Sequence, residues 1–278
     1  MIPKIIHYCW FGGRKLPETA KACIRTWKKY CPDYEIIEWN EGSYDLGNAP
    51  LYVRQACQAK KWAFVTDYVR LQVVYEQGGI YLDTDVELIR NLDLLRADRA
   101  YFGFETDTLI NTGHGFGAEK GAQVLQSLMD EYQGAVFFLP DGKVDNTPCP
   151  ERNTAALQKF GLVQDGSEQM LDGGIHIYPR SCFCPKNFES GEICCTENTY
   201  SIHHFDSSWH TGWESYLWKK RRTYREKYGE DEGRRKMENW QKRHRVLDVL
   251  MTEGTRGVLA KAKKKLSAFR SKLPLFPQ

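Results

Sequence analysis

Apolar residues along the first part of the chain recur with two different periods. Residues 2–11 and 34–39 are short apolar runs next to turn residues, which is typical of buried strands. Residues 17–30, between these runs, place apolar side chains at helical spacing among lysines. This strand–helix–strand alternation predicts a parallel sheet covered by helices. Further segments predicted from the pattern are helices at 51–60, 62–77, 122–132 and 153–159, a strand at 101–105 and a loop at 146–151.

The predicted helix at 62–77 is amphipathic and runs directly into a Gly-Gly turn. Its aromatic residues and leucine fall at helical spacing, and Gly78 stands where a helix commonly ends. Asp67 and Arg70 are three residues apart, so they share one face of this helix. A solvated ion pair would explain their spacing. A site that holds a ribose hydroxyl with Asp67 and a phosphate or sugar hydroxyl with Arg70 would explain it equally.

An acidic pair follows this turn after a short apolar run. Residues 80–82 predict a buried strand, and Asp83 and Asp85 stand where that strand ends. Side chains on a strand alternate with a period of two, so these two carboxylates are expected on the same side. Two neighbouring carboxylates repel each other unless a cation lies between them, and Mg²⁺ or Mn²⁺ is the natural occupant. A solvated acidic loop is the alternative for this motif taken alone.

These motifs together resemble glycosyltransferase family 32. That family includes yeast-type initiating mannosyltransferases and bacterial capsule or exopolysaccharide transferases, and it is related to the clostridial glucosylating toxins. The resemblance implies an α/β, GT-A-like (Rossmann-like) nucleotide-sugar-binding domain. It also implies a transfer reaction that retains the configuration at the anomeric carbon of the sugar. The residues that carry it are Ala63, Thr66, Asp67, Arg70 and the run Gly78-Gly79-Ile80-Tyr81-Leu82-Asp83-Thr84-Asp85.

The end of the first predicted strand also matches this family. Trp10 precedes the glycine turn at 12–13, and the family's tryptophan at this place stacks on the nucleotide base. The resemblance therefore implies Trp10 as the base platform, with Tyr8 as a second candidate; a core aromatic is the alternative. It also places Asn111 against the donor sugar, although an asparagine in a structural turn would fit there as well. The glycines within 113–117 predict a backbone that lies close to a ligand or another strand.

The third matching segment is residues 200–209. It contains a His-aromatic-Ser-Trp pattern that, in the family, closes over the donor diphosphate and the metal. The resemblance implies His203 as a third metal ligand, and Ser208 and Trp209 as contacts of the metal or the diphosphate. His204 remains the alternative ligand. An imidazole ligand favours Mn²⁺ over Mg²⁺.

Cysteine usage and hydropathy bear on where the protein acts. A strand is predicted directly after Met1 in place of a secretory signal, and no apolar run approaches the length of a membrane span. The nine cysteines lack the spacing of a disulfide framework, which favours a reducing cytoplasm. Four of them could bind zinc, but their spacing favours buried or partly exposed thiols. These four are Cys182, Cys184, Cys194 and Cys195.

The charge is distributed unevenly along the chain. Residues 213–278 contain 19 basic and 8 acidic residues, whereas the whole chain has a net charge of only +3. We therefore predict two domains, a GT-A-like domain at 1–212 and a basic helical extension at 213–278 with helices at 240–251 and 258–269. The extension could bind the anionic inner face of the plasma membrane or simply pack as an appendage. Nucleic acid is not expected as a partner, because no nucleic-acid-binding module accompanies the charge.

Taken together, the sequence predicts a metal-dependent glycosyltransferase. It would transfer a hexose from a nucleotide-diphosphate sugar, favoured as UDP-linked, to a glycan or lipid-linked saccharide in cell-surface polysaccharide synthesis. Asp83 and Asp85 would hold the metal, Arg70 would stabilise charge, and Asp67 would position the donor. Two alternatives are a haloacid-dehalogenase-type phosphohydrolase, which also has Asp-x-Asp after a strand, and a non-catalytic protein that binds sugar nucleotides or membranes.

Overall fold

The chain forms two compact units, which divide after Asp206. The computed structural model describes residues 1–188, 190–206, 212–247 and 250–251. The boundary after residue 212 that the sequence suggests stays a prediction.

The described residues of the first unit form nine short strands in two sheets. A seven-stranded sheet has the order β2-β1-β3-β6-β5-β8-β7, and β4 pairs with β9 in a separate two-stranded sheet. The strands are β1 (Ile5–Cys9), β2 (Glu35–Trp39), β3 (Gly79–Tyr81), β4 (Val86–Leu88), β5 (Ala100–Gly103), β6 (Phe116–Ala118), β7 (Gln169–Leu171), β8 (Ile175–Tyr178) and β9 (Ser201–His203).

Strand direction in the large sheet is mixed, with five strands running one way. The pairs β1–β2, β1–β3 and β5–β8 are parallel, whereas β6 and β7 run antiparallel to their neighbours. The predicted α/β fold class is confirmed, and the GT-A-like arrangement stays a prediction. The predicted parallel arrangement is correct for these five strands and wrong for β6 and β7. The connection from β5 to β6 contains no helix, and a parallel pairing needs such a crossover.

Helices cover both faces of the large sheet. Those predicted in the first half of the chain are confirmed to within a few residues. The predicted loop at 146–151 is correct for residues 146–148 and ends earlier than predicted, because α5 begins at Cys149. The proline in the first turn of α5 presets a helical φ. The helices are α1 (Glu18–Tyr30), α2 (Leu51–Gln58), α3 (Trp62–Gln77), α4 (Gln123–Asp130), α5 (Cys149–Gln158) and α6 (Arg180–Phe183), with 3₁₀ turns at Leu46–Asn48 and Asp93–Ala97.

The two faces of the sheet bury two separate apolar cores. On β1, Ile6 and Tyr8 point into the core that contains Trp27 of α1, whereas Cys9 points into the core formed with α2 to α5. Strands buried on both faces read as continuous apolar runs, which explains the pattern at residues 2–11. The Trp27 indole N–H also donates to the Val86 carbonyl at 2.7 Å, so α1 is fixed against β4.

The turn from α3 into β3 requires glycine and is held by a buried histidine. Gly78 has φ 70°, and a Cβ atom there would lie 2.9 Å from the Lys120 backbone nitrogen. The His7 Nε2–H donates to the Gly78 carbonyl at 2.8 Å, and Nδ1 accepts from the Trp39 indole at 3.1 Å. These contacts fix the point at which β3 begins, and therefore where the acidic pair follows.

The second unit contains a helical hairpin of α7 (Gly212–Tyr228) and α8 (Glu230–Arg243). The Trp240 and His244 rings stack with their centres 4.2 Å apart, and the Lys220 ammonium lies 4.6 Å from the Trp240 ring centre. The predicted start of a helix at Trp240 is wrong: α8 begins ten residues earlier, in a polar run rich in helix-forming residues. Residues 245–247 and 250–251 are also helical, and the predicted helix at 258–269 lies outside the described residues. Within the described part of the chain, no helix combines the length and apolar character needed to cross a membrane.

Candidate functional site

Asp83 and Asp85 lie in the turn between β3 and β4. Strand β3 ends at Tyr81, and the Val86 N–H donates to the Asp83 carbonyl at 3.0 Å, which closes the turn. The expectation that the two aspartates share one side because they lie on a strand is therefore wrong. A tight turn, instead of strand alternation, brings the two carboxylates to one place.

His203 completes a group of three possible metal ligands. Strand β9 pairs with β4 so that His203 lies opposite Val86. The Nε2 atom of His203 is 3.3 Å from Asp85 Oδ1. One ligand atom each from Asp83, Asp85 and His203 lies within 4.8 Å of the others. His204 is directed elsewhere, since its Nε2 pairs with Glu87 at 2.8 Å. The structure thus places His203, and not His204, with the two aspartates.

The backbone after His203 folds around Asp85. Phe205 has a positive φ of 57°, a conformation that costs energy for an aromatic residue. The bend brings the Asp206 N–H to Asp85 Oδ2 at 2.9 Å, while the His204 N–H donates to the Asp85 carbonyl at 2.9 Å. The next predicted contacts of metal or diphosphate, Ser208 and Trp209, lie outside the described residues.

Arg70 lies beneath the acidic pair and is almost fully buried, with 3% of its surface exposed. Its Nη2 is 3.2 Å from Asp67 Oδ1 and 3.3 Å from Asp83 Oδ1, and its Nε–H donates to the Thr66 carbonyl. Tyr81 donates its hydroxyl to Asp83 Oδ1 at 2.8 Å. Asp67 and Arg70 therefore form a buried ion pair that supports Asp83, which the sequence could not distinguish from a solvated pair.

The charges of this cluster are strongly coupled. Burial opposes charge on His203, but the neighbouring Asp85 carboxylate holds the His203 pKa well above its usual value. Burial would raise the pKa of Asp85, yet the His203 charge lowers it to about 2. Burial raises the pKa of Asp67 to about 6 despite the opposing Arg70 charge. Asp85 and His203 are thus held as an ion pair, into which a divalent cation would have to insert.

Gly113 allows a close approach to the Asp83 carboxylate. A Cβ atom at Gly113 would lie 2.5 Å from Asp83 Oδ2 and 3.1 Å from Arg70 Nη1. The Asp83 N–H donates to the Gly113 carbonyl at 3.0 Å, so the two segments are also tied through the backbone. Asn111, predicted to face the donor sugar, accepts the Gly113 N–H on Oδ1 at 2.6 Å. Its Nδ2 group is therefore the part of the amide that stays available as a donor.

The two aromatic residues predicted for the base occupy different environments. Tyr8 is buried, donates its hydroxyl to Glu38 at 2.6 Å and packs edge-on against Trp27. Trp10 is only partly buried and precedes the turn at Gly12, where φ is 97°. Trp10 therefore has ring surface that a base could contact, whereas Tyr8 is part of the core.

The four clustered cysteines are divided between two environments. Cys182 and Cys184 are buried at and just after α6, whereas Cys194 and Cys195 are exposed. Burial raises the pKa of Cys182 to about 11, which keeps that thiol protonated and weakly reactive.

The donor set of the aspartate–histidine group fits a divalent cation. Mg²⁺ prefers oxygen ligands at about 2.0–2.1 Å, so two atoms bound to one ion are at most about 4.2 Å apart. Ligand atoms within 4.8 Å of one another therefore need to move only a short distance to bind one ion. An imidazole nitrogen beside two carboxylates also suits Mn²⁺. The Asp83 carboxylate is accessible to an ion, since 29% of the Asp83 side chain is exposed.

His114 is a buried histidine beside this site. Neither its burial nor its protonation state was predicted from the sequence. Its ring stacks on Phe183 at 6.1 Å between centres, and among the described residues neither ring nitrogen has a hydrogen-bond partner. Burial lowers the pKa of His114 to about 3, so the folded protein keeps the ring neutral over the ordinary pH range.

We expect His114→Phe to change how stability depends on pH. Below the unfolded-state pKa of 6.5, the unfolded chain binds a proton at this position and the folded protein does not. The contribution of the neutral His114 ring to the unfolding free energy is therefore fully present above that pKa and is lost as the pH falls. Between pH 7.5 and 5.0 the native protein should lose about 2 kcal/mol of unfolding free energy relative to the variant. Urea unfolding of both proteins with chelator at the two pH values measures this; a constant difference between them would contradict it.

Comparison with known proteins identifies part of the chain. Residues 17–102 match the family described as the glycosyltransferase sugar-binding region containing the DXD motif. Inositol phosphoceramide mannosyltransferase 3 of Schizosaccharomyces pombe is 36% identical over 101 residues, which cover 34% of this chain and 27% of that protein. The chain thus spans about a quarter of the length of this relative.

Two solved structures show partial similarity. The PaToxG glycosyltransferase has a TM-score of 0.42 at 20% identity, covering 57% of this chain and 69% of its own. A glycosyltransferase involved in the glycosylation of the major capsid of PBCV-1 has a TM-score of 0.41 at 12% identity, covering 74% of this chain and 95% of its own.

The matched region contains most of the residues on which the sequence resemblance depended. Helix α3, with Asp67 and Arg70, and the turn with Asp83 and Asp85 all lie within residues 17–102. The resemblance is therefore confirmed. Residues 17–102 of this chain are thus similar to the DXD-containing sugar-binding region of glycosyltransferases, the region on which the resemblance to family 32 depended.

Proposed function

We propose that this protein is a metal-dependent glycosyltransferase that moves a hexose from a nucleotide-diphosphate sugar to a saccharide acceptor. The observation that carries the proposal is the convergence of Asp83, Asp85 and His203 within 4.8 Å in a turn next to a buried arginine. The match of residues 17–102 to the DXD-containing sugar-binding region of glycosyltransferases supports the reaction class. The relative from S. pombe is named as a mannosyltransferase, and mannose is a hexose, which supports the class of sugar.

The metal ligands would be Asp83, Asp85 and His203, with Mn²⁺ or Mg²⁺ as the ion. When bound, such an ion neutralises negative charge on the leaving diphosphate. The chain's own contribution is to hold the ligands in place before the substrate arrives. Arg70 and Tyr81 both contact Asp83 Oδ1, which limits rotation of that carboxylate. Because its guanidinium is buried, we assign Arg70 a positioning role through Asp83, and direct contact with a phosphate stays a prediction.

The donor would lie across the ends of β1 and β3. Trp10 offers partly exposed ring surface for the base, and a UDP-linked donor is the form that we propose. Asn111 would donate from Nδ2 to a sugar hydroxyl, and Asp67 would orient the donor from beside Arg70. Ser208 and Trp209 would close over the diphosphate. The sugar would be transferred with retention of configuration at its anomeric carbon. The acceptor would be a glycan or a lipid-linked saccharide of the cell surface.

A donor screen tests this function directly. Purified protein is offered a panel of UDP- and GDP-linked hexoses with Mn²⁺ or with chelator, and released nucleoside diphosphate is measured. We expect slow release from one donor that depends on the metal, because glycosyltransferases commonly hydrolyse their donor when no acceptor is present. Nucleotide binding without release from any donor would instead favour a non-catalytic sugar-nucleotide-binding protein. Release of inorganic phosphate from simple phosphoesters would favour the phosphohydrolase alternative.

We also propose that the second unit holds the enzyme at the inner face of the plasma membrane. The unit is rich in lysine and arginine, and Val246, Leu247, Leu250 and Met251 are exposed near the end of its described part. Basic and apolar groups together favour an anionic lipid surface. Cosedimentation with phosphatidylglycerol vesicles, lost in high salt and absent with phosphatidylcholine, is the expected result. Equal behaviour with both vesicle types would favour a plain helical appendage.

A further inference from the structure

Helix α5 is tied by three side chains to consecutive residues of the loop that reaches the metal site. Each contact joins one residue of the helix to one residue of the segment 110–112. The three contacts are the Ile110 N–H to Thr154 Oγ1 at 2.9 Å, the Cys149 thiol to Asn111 Oδ1 at 3.6 Å, and Asn153 Nδ2 to Thr112 Oγ1 at 3.1 Å.

These contacts are buried, which gives them more effect on position than surface contacts have. Cys149 and Asn153 are four residues apart and lie on one face of α5, and Asn153 is only 1% exposed. Thr154 also donates to the Pro150 carbonyl at 2.7 Å, so its hydroxyl is oriented by the helix itself. A buried polar group that loses its partner destabilises the structure, and the loop therefore has one favoured position on the helix.

The same loop contacts the residues of the metal site on its other side. Thr112 Oγ1, which accepts from Asn153, lies 3.5 Å from Arg70 Nη1. The Gly113 carbonyl accepts the Asp83 N–H at 3.0 Å. The loop that α5 holds therefore lies directly beside Arg70 and the backbone of Asp83.

The contact from Cys149 also determines which way the Asn111 amide faces. Asn111 Oδ1 accepts both the Gly113 N–H at 2.6 Å and the Cys149 thiol at 3.6 Å. An amide rotated by half a turn would place its NH₂ against these two donors, which is unfavourable. The amide nitrogen is thereby directed away from α5 and kept as a hydrogen-bond donor.

We propose that α5 is the element that positions the sugar-binding part of the donor site, with Asn153 and Cys149 as its positioning residues. Asn153 holds the loop through Thr112, and Cys149 sets the Asn111 amide so that its NH₂ meets a sugar hydroxyl. Neither residue touches the metal ligands. The inference rests on the proposed function, since it concerns recognition of the sugar of a nucleotide-sugar donor. It assigns to α5 control over binding of that sugar and leaves binding of the nucleoside diphosphate to other elements.

The test compares two ligands on one variant. Asn153→Ala and the native protein are titrated calorimetrically, with Mn²⁺, against UDP and against the nucleotide sugar on which the native enzyme works. We expect the variant to bind the nucleotide sugar about tenfold more weakly, as the loss of one well-placed hydrogen bond implies, and to bind UDP within about twofold of the native protein. The KM for the donor should rise more than kcat falls. Equal losses for both ligands, or none for either, would overturn the inference.

A pair of variants at Cys149 tests the contact between α5 and Asn111. Cys149→Ser keeps a donor for Asn111 Oδ1 and should retain the native preference for the nucleotide sugar over UDP. Cys149→Ala removes one of the two donors to Asn111 Oδ1, leaves the amide held by the Gly113 N–H alone and should reduce that preference. Gln158→Ala, an exposed position on the same helix, is the matched control and should leave both affinities unchanged. Serine and alanine variants that behave alike would contradict the role of Cys149.

The outcomes separate this inference from the proposed function. A native protein that neither binds nor turns over any nucleotide sugar overturns both. A native enzyme that works, together with an Asn153→Ala variant that keeps its preference for the nucleotide sugar, overturns only the role of α5. Thermal unfolding of each variant shows whether the fold is intact, because a misfolded protein would lose UDP binding as well.

Discussion

Asp85→Asn is expected to reduce metal-dependent turnover by about a thousandfold or more. Asp85 contacts His203 through one oxygen and the Asp206 N–H through the other, so it organises both sides of the metal site. An amide keeps the size of the side chain but removes the charge that would hold a divalent cation. Nucleoside diphosphate release from the preferred donor measures the loss, and Mn²⁺ titration followed by electron paramagnetic resonance should show weaker metal binding.

Asp172→Asn is the matched control for this change. Asp172 is exposed, and its backbone N–H donates to the Phe160 carbonyl. The same change of charge at that position should leave turnover and Mn²⁺ binding as they are in the native protein. An Asp85→Asn enzyme with native turnover in Mn²⁺ would rule out the metal site as described.

Gly113→Ala is expected to cause the second large loss, on the order of a hundredfold in turnover. The added methyl group would lie 2.5 Å from Asp83 Oδ2 and 3.0 Å from Asn111 Oδ1, so both groups must move. Displacement of a catalytic group by about one ångström can cost this much. Because φ at Gly113 is not in the left-handed region, the change tests steric contact without adding backbone strain.

Gly117→Ala separates this effect from a general loss of stability. A methyl group there would lie 2.5 Å from the Tyr101 ring, which is a comparable clash inside the core instead of at the metal site. We expect both variants to unfold at lower urea concentration than the native protein. Only Gly113→Ala should lose turnover when both are measured well below their unfolding transitions. Equal activity losses in the two variants would mean that stability alone explains the effect.

The residues of the candidate metal site stand in short motifs near the ends of strands, and the family resemblance singled them out in the sequence. Asp83 and Asp85 follow an apolar run, and His203 lies in a segment with a pattern of its own. The turn that brings the two aspartates together could not be predicted, since a strand and a tight turn both place residues two apart on one side. The choice of His203 over His204 needed the pairing of β9 with β4, which no local pattern contains.

Burial and long-range contacts account for most of what the sequence did not reveal. The spacing of Asp67 and Arg70 predicts a shared helix face, but only the packing of α3 shows that this face is buried against Asp83. Thr112 and Asn153 are far apart in the sequence, and a threonine in a loop and an asparagine in a helix carry no local signal. Such a contact is visible only when the loop and α5 are placed in the fold.

The pairing of β4 with β9 has a consequence for the order in which the protein matures during synthesis. All seven strands of the large sheet have left the ribosome once Tyr178 has emerged, so that sheet can form first. The third metal ligand, His203, belongs to β9 and follows later. A nascent chain can therefore acquire its sheet and both aspartates while it still lacks the histidine. In the proposed metal site, the full set of three ligands therefore exists only after β9 has been synthesised.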